Sequence, residues 1–165
     1  MKPKMSASAS SELEIRSADP RSSEATSLIR DLSNELARRY DFEEDGSGNF
    51  RPEDVLGPRA GFLVGWIGRD AVACGAFRVM EADVAEIKRM FVRPEYRGRG
   101  FSKAILEDLE RRARACGYRK VRLETGNRQP EAIALYQRSG YHRIPNFGIY
   151  QKVESSLCFE KDLAP

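Results

Sequence analysis

Arg97-Gly98-Arg99-Gly100-Phe101-Ser102 is the stretch of this 165-residue chain whose residue types point most directly to chemistry. It follows an apolar, strand-like run and opens a pattern with helical spacing. Gly98 and Gly100 permit backbone conformations and a close approach that a Cβ would block. N–H groups freed at a helix start, together with the helix dipole, make an anion site, and Arg97 and Arg99 add positive charge to it. The plain alternative is a glycine-containing turn with solvated arginines. The stretch is no Walker A loop, because GxxxxGK[ST] is absent. It is no dinucleotide fingerprint either, because Lys103 stands where GxGxxG needs its last glycine.

The surrounding charge agrees with an anionic ligand. Residues 88–128 hold 13 Lys/Arg and 5 Asp/Glu, a local surplus of +8, in a chain whose formal net charge is only +3. A small phosphate-bearing molecule fits that surplus as well as a polynucleotide does, and the low overall charge gives little support to a dedicated nucleic-acid binder. Cys74, Cys116 and Cys158 are odd in number and widely spaced, which argues for a reducing compartment and against a disulfide frame or a zinc ribbon. His142 is the sole histidine, so no histidine-based metal cluster is expected. These cysteines read as small buried hydrophobes, His142 as a structural or surface residue, and Trp66 as core.

The elements that must position the loop follow from periodicity. A composition of 41% hydrophobic and 32% charged residues is that of an ordinary soluble domain. Residues 1–11 read as a disordered tail without a signal or anchor, and 12–165 as one domain. A short strand is expected near 12–17, and a helix near 20–39 opened by Asp19-Pro20. A long polar connection over 41–59 carries acidic Glu43, Glu44 and Asp45. GFLVGWIG and AVACGAFRVM flank Arg69-Asp70 as a hairpin, and a third strand over 83–92 ends at Pro94. Phe101, Ile105, Leu109, Ala113 and Cys116 then repeat at helical spacing up to a terminating Gly117. A strand at 120–125, a helix from Pro130 to Ser139 and strands near 141–151 and 156–162 complete the order β-α-βββ-α-β-α-ββ. This is an α/β fold with a mixed, mostly antiparallel sheet of six to seven strands and helices on its faces. The longest apolar stretches, near 60–67 and 71–77, are too short and too glycine-broken to span a bilayer.

At this point the chain resembles the GNAT family of acyl-CoA-dependent N-acetyltransferases. The run Val92-Arg93-Pro94-Glu95-Tyr96-Arg97-Gly98-Arg99-Gly100-Phe101-Ser102 is similar to the family's junction of strand four with the following helix. It departs only at Ser102, where glycine or alanine is commoner. LETGNRQPEAIALYQRSGY (123–141) looks like the family's strand five, next helix and start of strand six. Two separate motifs in the right order are a stronger signal than either alone.

The resemblance implies a GNAT fold and acetyl-CoA as co-substrate, with no metal. Main-chain groups of Phe91 and Val92 would pair with the pantetheine arm like an added strand, and the amides of residues 97–102 would hold the pyrophosphate. Gln129 would face the cofactor arm, with Asn127 as the alternative helix cap. Tyr136, in A-x-x-L-Y, would protonate the departing thiolate; without the family context it reads as core beside Ile133. Glu86 would be the general base that deprotonates the amine, and its plain reading is a solvated strand charge. The implied function is transfer of acetyl to a primary amine on a small molecule, in the cytoplasm. The acidic segment 43–45 would attract a cationic acceptor, and a homodimer is compatible with this reading. The rivals are a non-catalytic acyl-CoA-binding regulatory module on the same fold and, with less support, nucleic-acid binding through residues 88–128.

Overall fold

The computed structural model describes residues 12–40 and 49–164; the tail 1–11 and the acidic Glu43, Glu44 and Asp45 lie outside them. Chain order is β1 (Glu14–Ser17), α1 (Ser23–Tyr40), β2 (Gly61–Ile67), β3 (Asp70–Glu81), β4 (Val84–Val92), α2 (Phe101–Ala115), β5 (Lys120–Gly126), α3 (Pro130–Arg138), β6 (His142–Ile144) and β7 (Ser156–Asp162). The seven strands form one sheet in the order β1-β2-β3-β4-β5-β7-β6. Among the described residues only β4 and β5 pair in parallel, because α2 carries the chain back across the sheet between them. The mixed α/β sheet read from the sequence is the one observed.

Both faces of the sheet are covered. On one, Ile105, Leu109 and Ala113 of α2 join Phe77, Ile87, Leu123 and Phe159; on the other, Ala25, Leu28 and Leu32 of α1 join Phe62, Val64 and Cys74. Contact on the α2 side is close: a Cβ at Gly75 would stand 2.8 Å from Ile105, Leu109 and Met90. Three arginines four residues apart fasten α1 to the end of β4. Arg89 donates to Ser33 Oγ. Arg93 binds Asp31, Ser27 Oγ at 3.1 Å and the Ala71 carbonyl at 2.8 Å. Arg97 pairs with Glu35 at 2.9 Å.

Two elements differ from the sequence expectation. The first helix begins at Ser23 rather than at Pro20, because the Asp19 carboxylate is taken by Arg21. Ser22 Oγ accepts the Ala25 N–H in its place. The strand expected over 141–151 stops at Ile144. Pro145 has no N–H for a ladder, and Asn146 Nδ2 donates to the carbonyls of Tyr150, Val153 and Ser156. The segment 145–155 therefore leaves the sheet as an excursion with one 3-10 turn at Gly148–Tyr150.

Gly75→Val should lower stability by about 1–3 kcal/mol through overpacking against α2, measured by urea unfolding. An unchanged midpoint would show that α2 does not pack on β3 as described.

Candidate active site between two parting strands

β4 and β5 pair only from Val84–Lys120 to Ile87–Leu123. Beyond that point each keeps its outer neighbour: Phe91 and Val92 remain on Cys74 and Ala73 of β3, while Glu124, Thr125 and Gly126 remain on Cys158, Leu157 and Ser156 of β7. The inner edges part. A bulge in β4 accompanies the parting, since the ladder steps from Ala76–Lys88 to Cys74–Phe91. It is centred on Arg89, whose φ of 59° is the only positive value outside glycine among the described residues. Such a conformation costs roughly 1–2 kcal/mol. Here the Arg89 carbonyl accepts the Cys74 thiol at 3.3 Å, and the guanidinium reaches Ser33 and lies over Phe50. Burial of Cys74 pushes its thiol up to about 12, so it acts there as a neutral donor.

The gap opens on a cleft of about 530 Å³. Its walls come from the inner edges of β4 and β5, from Leu32, Leu36 and Tyr40 of α1, from Gln129 and Tyr136 of α3, and from Ile149, Tyr150 and Val153 of the excursion. Tyr40 props one corner. Its hydroxyl accepts the Arg128 N–H at 3.0 Å and lies so close over β5 that a Cβ at Gly126 would stand 1.8 Å from it. Gln129 is the N-cap residue preceding α3, and its side-chain amide reaches the same hydroxyl at 3.5 Å. Asn127 is exposed and caps nothing.

Tyr136 is 5% exposed, packed edge-on against Tyr141, and lines the cleft. Its hydroxyl makes no hydrogen bond with the described residues. Burial, with a smaller effect of Glu124, holds the phenol above its ordinary pKa, so it stays protonated. Glu86 stands elsewhere. It is buried one residue before the parting, with Oε1 on Arg78 Nε at 2.9 Å, and Arg78 also holds Asp54 at 2.8 Å. It borders a second hollow beside Arg59 and Asp54, not the cleft. The cleft does contain Glu124 of β5, which had not been singled out from the sequence. No cation lies within ion-pair distance of Glu124 among the described residues, and burial raises its pKa while the Ser156 hydroxyl opposes that shift.

The glycine loop lies at the far end of β4. Gly98 and Gly100 have φ of 79° and 80°, with nothing within 4 Å of where a Cβ would be, and Gly100 caps the fifteen-residue α2. Open amides at a helix start suit an anion. Arg99 lies over Tyr96 at the surface. Arg97 turns inward, where its Nε donates to the Val92 carbonyl at 2.8 Å, leaving that oxygen a second lone pair. Phe101 and Ser102 form the first turn of α2. Phe91 and Val92 bury their side chains; the Arg93 N–H bonds the Val72 carbonyl of β3, so the Phe91 backbone pairs with β3 and the Val92 backbone is turned to the gap.

The comparisons with known proteins agree with this geometry. Residues 25–141 match the sequence model of the Acetyltransferase (GNAT) family. An IAA acetyltransferase of Azospirillum brasilense is 36% identical over 82% of this chain and 88% of its own. In structure, an acyl-CoA N-acyltransferase fold from Klebsiella pneumoniae superposes with a TM-score of 0.77 at 31% identity, over 92% of this chain and 98% of that one. A GNAT acetyltransferase of Elizabethkingia anophelis, solved with acetyl-CoA bound, superposes with a TM-score of 0.65 at 16% identity, over 92% of this chain and 98% of that one. The chain belongs to the GNAT acetyltransferase family and is an acyltransferase. Among the described residues no helix is long and apolar enough to cross a membrane.

Gly126→Ala should displace Tyr40 and release the Arg128 N–H. The expected cost is about 1–3 kcal/mol, read as a fall of a few degrees in Tm for a domain of this size. A variant as stable as wild type would show that Tyr40 does not brace the β5 end of the cleft.

Proposed function

We propose that the chain transfers the acetyl group of acetyl-CoA directly to a primary amine on a small molecule, in the cleft between β4 and β5. The observation that carries this is the parting itself: two unpaired strand edges open onto one cleft holding Tyr136 and Glu124, with the N-terminus of α2 beyond the end of β4. An extended arm with amide groups can pair with the β4 edge at Val92, as an added strand does. The amides of 97–102 suit the pyrophosphate, helped by Arg99 more than by Arg97, which is tied to Glu35. A cleft of this size suits a small acceptor.

An ammonium has no lone pair, so the acceptor must lose a proton before it attacks. Glu124 is proposed for that step in place of Glu86, whose carboxylate is occupied by Arg78. The free amine then adds to the thioester carbonyl carbon, and N–H groups of the unpaired β4 edge face the oxyanion. As the C–S bond breaks, the thiolate takes the Tyr136 proton, which burial has kept on the phenol, and the second proton of the attacking nitrogen leaves the product amide and restores the phenol.

Tyr136→Phe keeps the ring and removes the proton donor, so turnover should fall roughly 10²–10⁴-fold with little change in Tm; full activity would return Tyr136 to packing alone. Glu124→Gln should remove the acidic limb of the pH–rate profile, a limb placed above the ordinary carboxylate range by the raised pKa. Because folding raises that pKa, the native state binds the proton more tightly than the unfolded chain. Stability is therefore lost as pH rises from the unfolded to the native value, and Glu124→Gln should be no less stable than wild type at pH 7. Glu86→Gln should instead lower stability, by about 1–3 kcal/mol. If Glu86→Gln alone abolished the limb, the base would be Glu86.

Acetyl-CoA should raise Tm by mass action, and Gly100→Asp should abolish that shift by straining a left-handed position and adding negative charge. A folded Gly100→Asp protein with unchanged affinity for acetyl-CoA would contradict the proposed binding mode.

A further inference from the structure

Lys88 and Tyr150 form a pair in the cleft that the proposed chemistry leaves unused. Lys88 lies on β4 where it parts from β5, and its Nζ donates to Tyr150 Oη at 2.8 Å and sits 5.5 Å from the centre of that ring. No carboxylate comes within ion-pair distance of it among the described residues. Three other partly buried cations on the sheet are matched: Arg78 by Glu86 and Asp54, Arg122 by Glu160, and Lys161 by Glu110. Lys88 therefore stands as a half-buried ammonium facing a cleft without a counter-ion. Burial draws its pKa down, Glu86 and Glu124 act in the opposite sense, and Arg78 and Arg89 add to the effect of burial. An anion arriving in the cleft would relieve that cost.

The donors present define the anion. The Tyr150 hydroxyl accepts from Lys88, and its own proton meets no acceptor among the described residues. An ammonium N–H and a phenol O–H side by side match the two oxygens of one carboxylate. Glu124, next to Lys88 across the parting strands, disfavours a more highly charged group, yet it is placed to meet an ammonium on the same molecule. An apolar part of the lining is supplied by Leu32 and Leu36 of α1 and by Ile149 and Val153, which are 62% and 41% exposed, beside polar groups that include Arg89 and Gln129.

Resting on the transfer reading above, we propose that the acceptor is an amine that also carries a carboxylate on an apolar body, as an amino acid with an apolar side chain does, and that Lys88 and Tyr150 hold the carboxylate while Glu124 takes the ammonium.

The test is a thiol-release assay at saturating acetyl-CoA with matched acceptors: leucine and phenylalanine against their methyl esters and against isoamylamine and phenethylamine. Wild type should prefer the carboxylates by roughly 10–100-fold in kcat/KM, expressed in KM. The esters are less basic than the acids and the simple amines at least as basic, so a preference for the acids over both sets cannot come from amine basicity. In Lys88→Met the ratio should fall toward one, and Lys88→Arg should keep it. Equal use of acids, esters and amines by wild type would overturn the assignment without any variant. So would a folded Lys88→Met protein that keeps the preference, or failure to acetylate either amino acid while other amines react. Calorimetry with acetyl-CoA separates the two levels. No binding overturns the transfer reading and this one together, whereas binding and transfer indifferent to the carboxylate overturn only the acceptor assignment.

Discussion

A parallel pair of strands that separates halfway along its length must still satisfy its backbone, and this site depends on how that is done. β4 and β5 share four residue pairs and then each keeps only its outer partner. Three devices hold them apart. The bulge at Arg89 bends β4 and costs strain that its carbonyl and side-chain contacts offset. Arg93 and Arg97 fix the outgoing strand to α1. Tyr40 fills the corner over Gly126, where any larger residue would collide with it. The two inner edges that result are rows of unpaired N–H and C=O groups, which in an open sheet would be a liability and here face a cleft.

The distribution of charge follows from the same arrangement. The +8 surplus of residues 88–128 looks in sequence like a surface for a polyanion, but much of it is paired with carboxylates of the chain. Arg93 and Arg97 are tied to α1, Arg111 and Arg112 to Asp108, and Lys120 and Arg122 to Glu160. These ties remove much of the support for a nucleic-acid surface; near the glycine loop Arg99 lies over Tyr96, while Lys103 pairs with Glu107 at 3.9 Å. Lys88 and Glu124 are the contrasting case. They are charged, largely withdrawn from water and without ion-pair partners among the described residues, which is the condition under which a ligand charge contributes most.

Much of the fold was legible because it rests on local signals. Gly98, Gly100, Gly117 and Gly140 all have positive φ where the sequence placed turns or helix ends, and the hairpin around Arg69-Asp70 is as read. Tyr136, Gln129 and the glycine loop were placed by motif, and the structure puts the first two in the cleft and the loop beyond the end of β4. The misses are non-local. Glu86 and Glu124 lie on neighbouring strands with similar flanking residues, and spacing alone says nothing about which carboxylate an arginine from β3 will claim. Tyr150 was hidden because residues 145–151 read as the continuation of a strand until Asn146 is seen to gather three carbonyls. Proline at 145 was the one available sign.

The central claim is that a single ligand spans the parted strands and the start of α2. The direct measurement is the set of backbone amide chemical shifts with and without acetyl-CoA. Titration should move the amides of Gly98 to Ser102 together with those of Met90 to Val92 and of Glu124 to Gly126, all with one dissociation constant. Shifts confined to the glycine loop, or centred on the hollow beside Arg59 and Asp54 while the parted edges stay still, would contradict it.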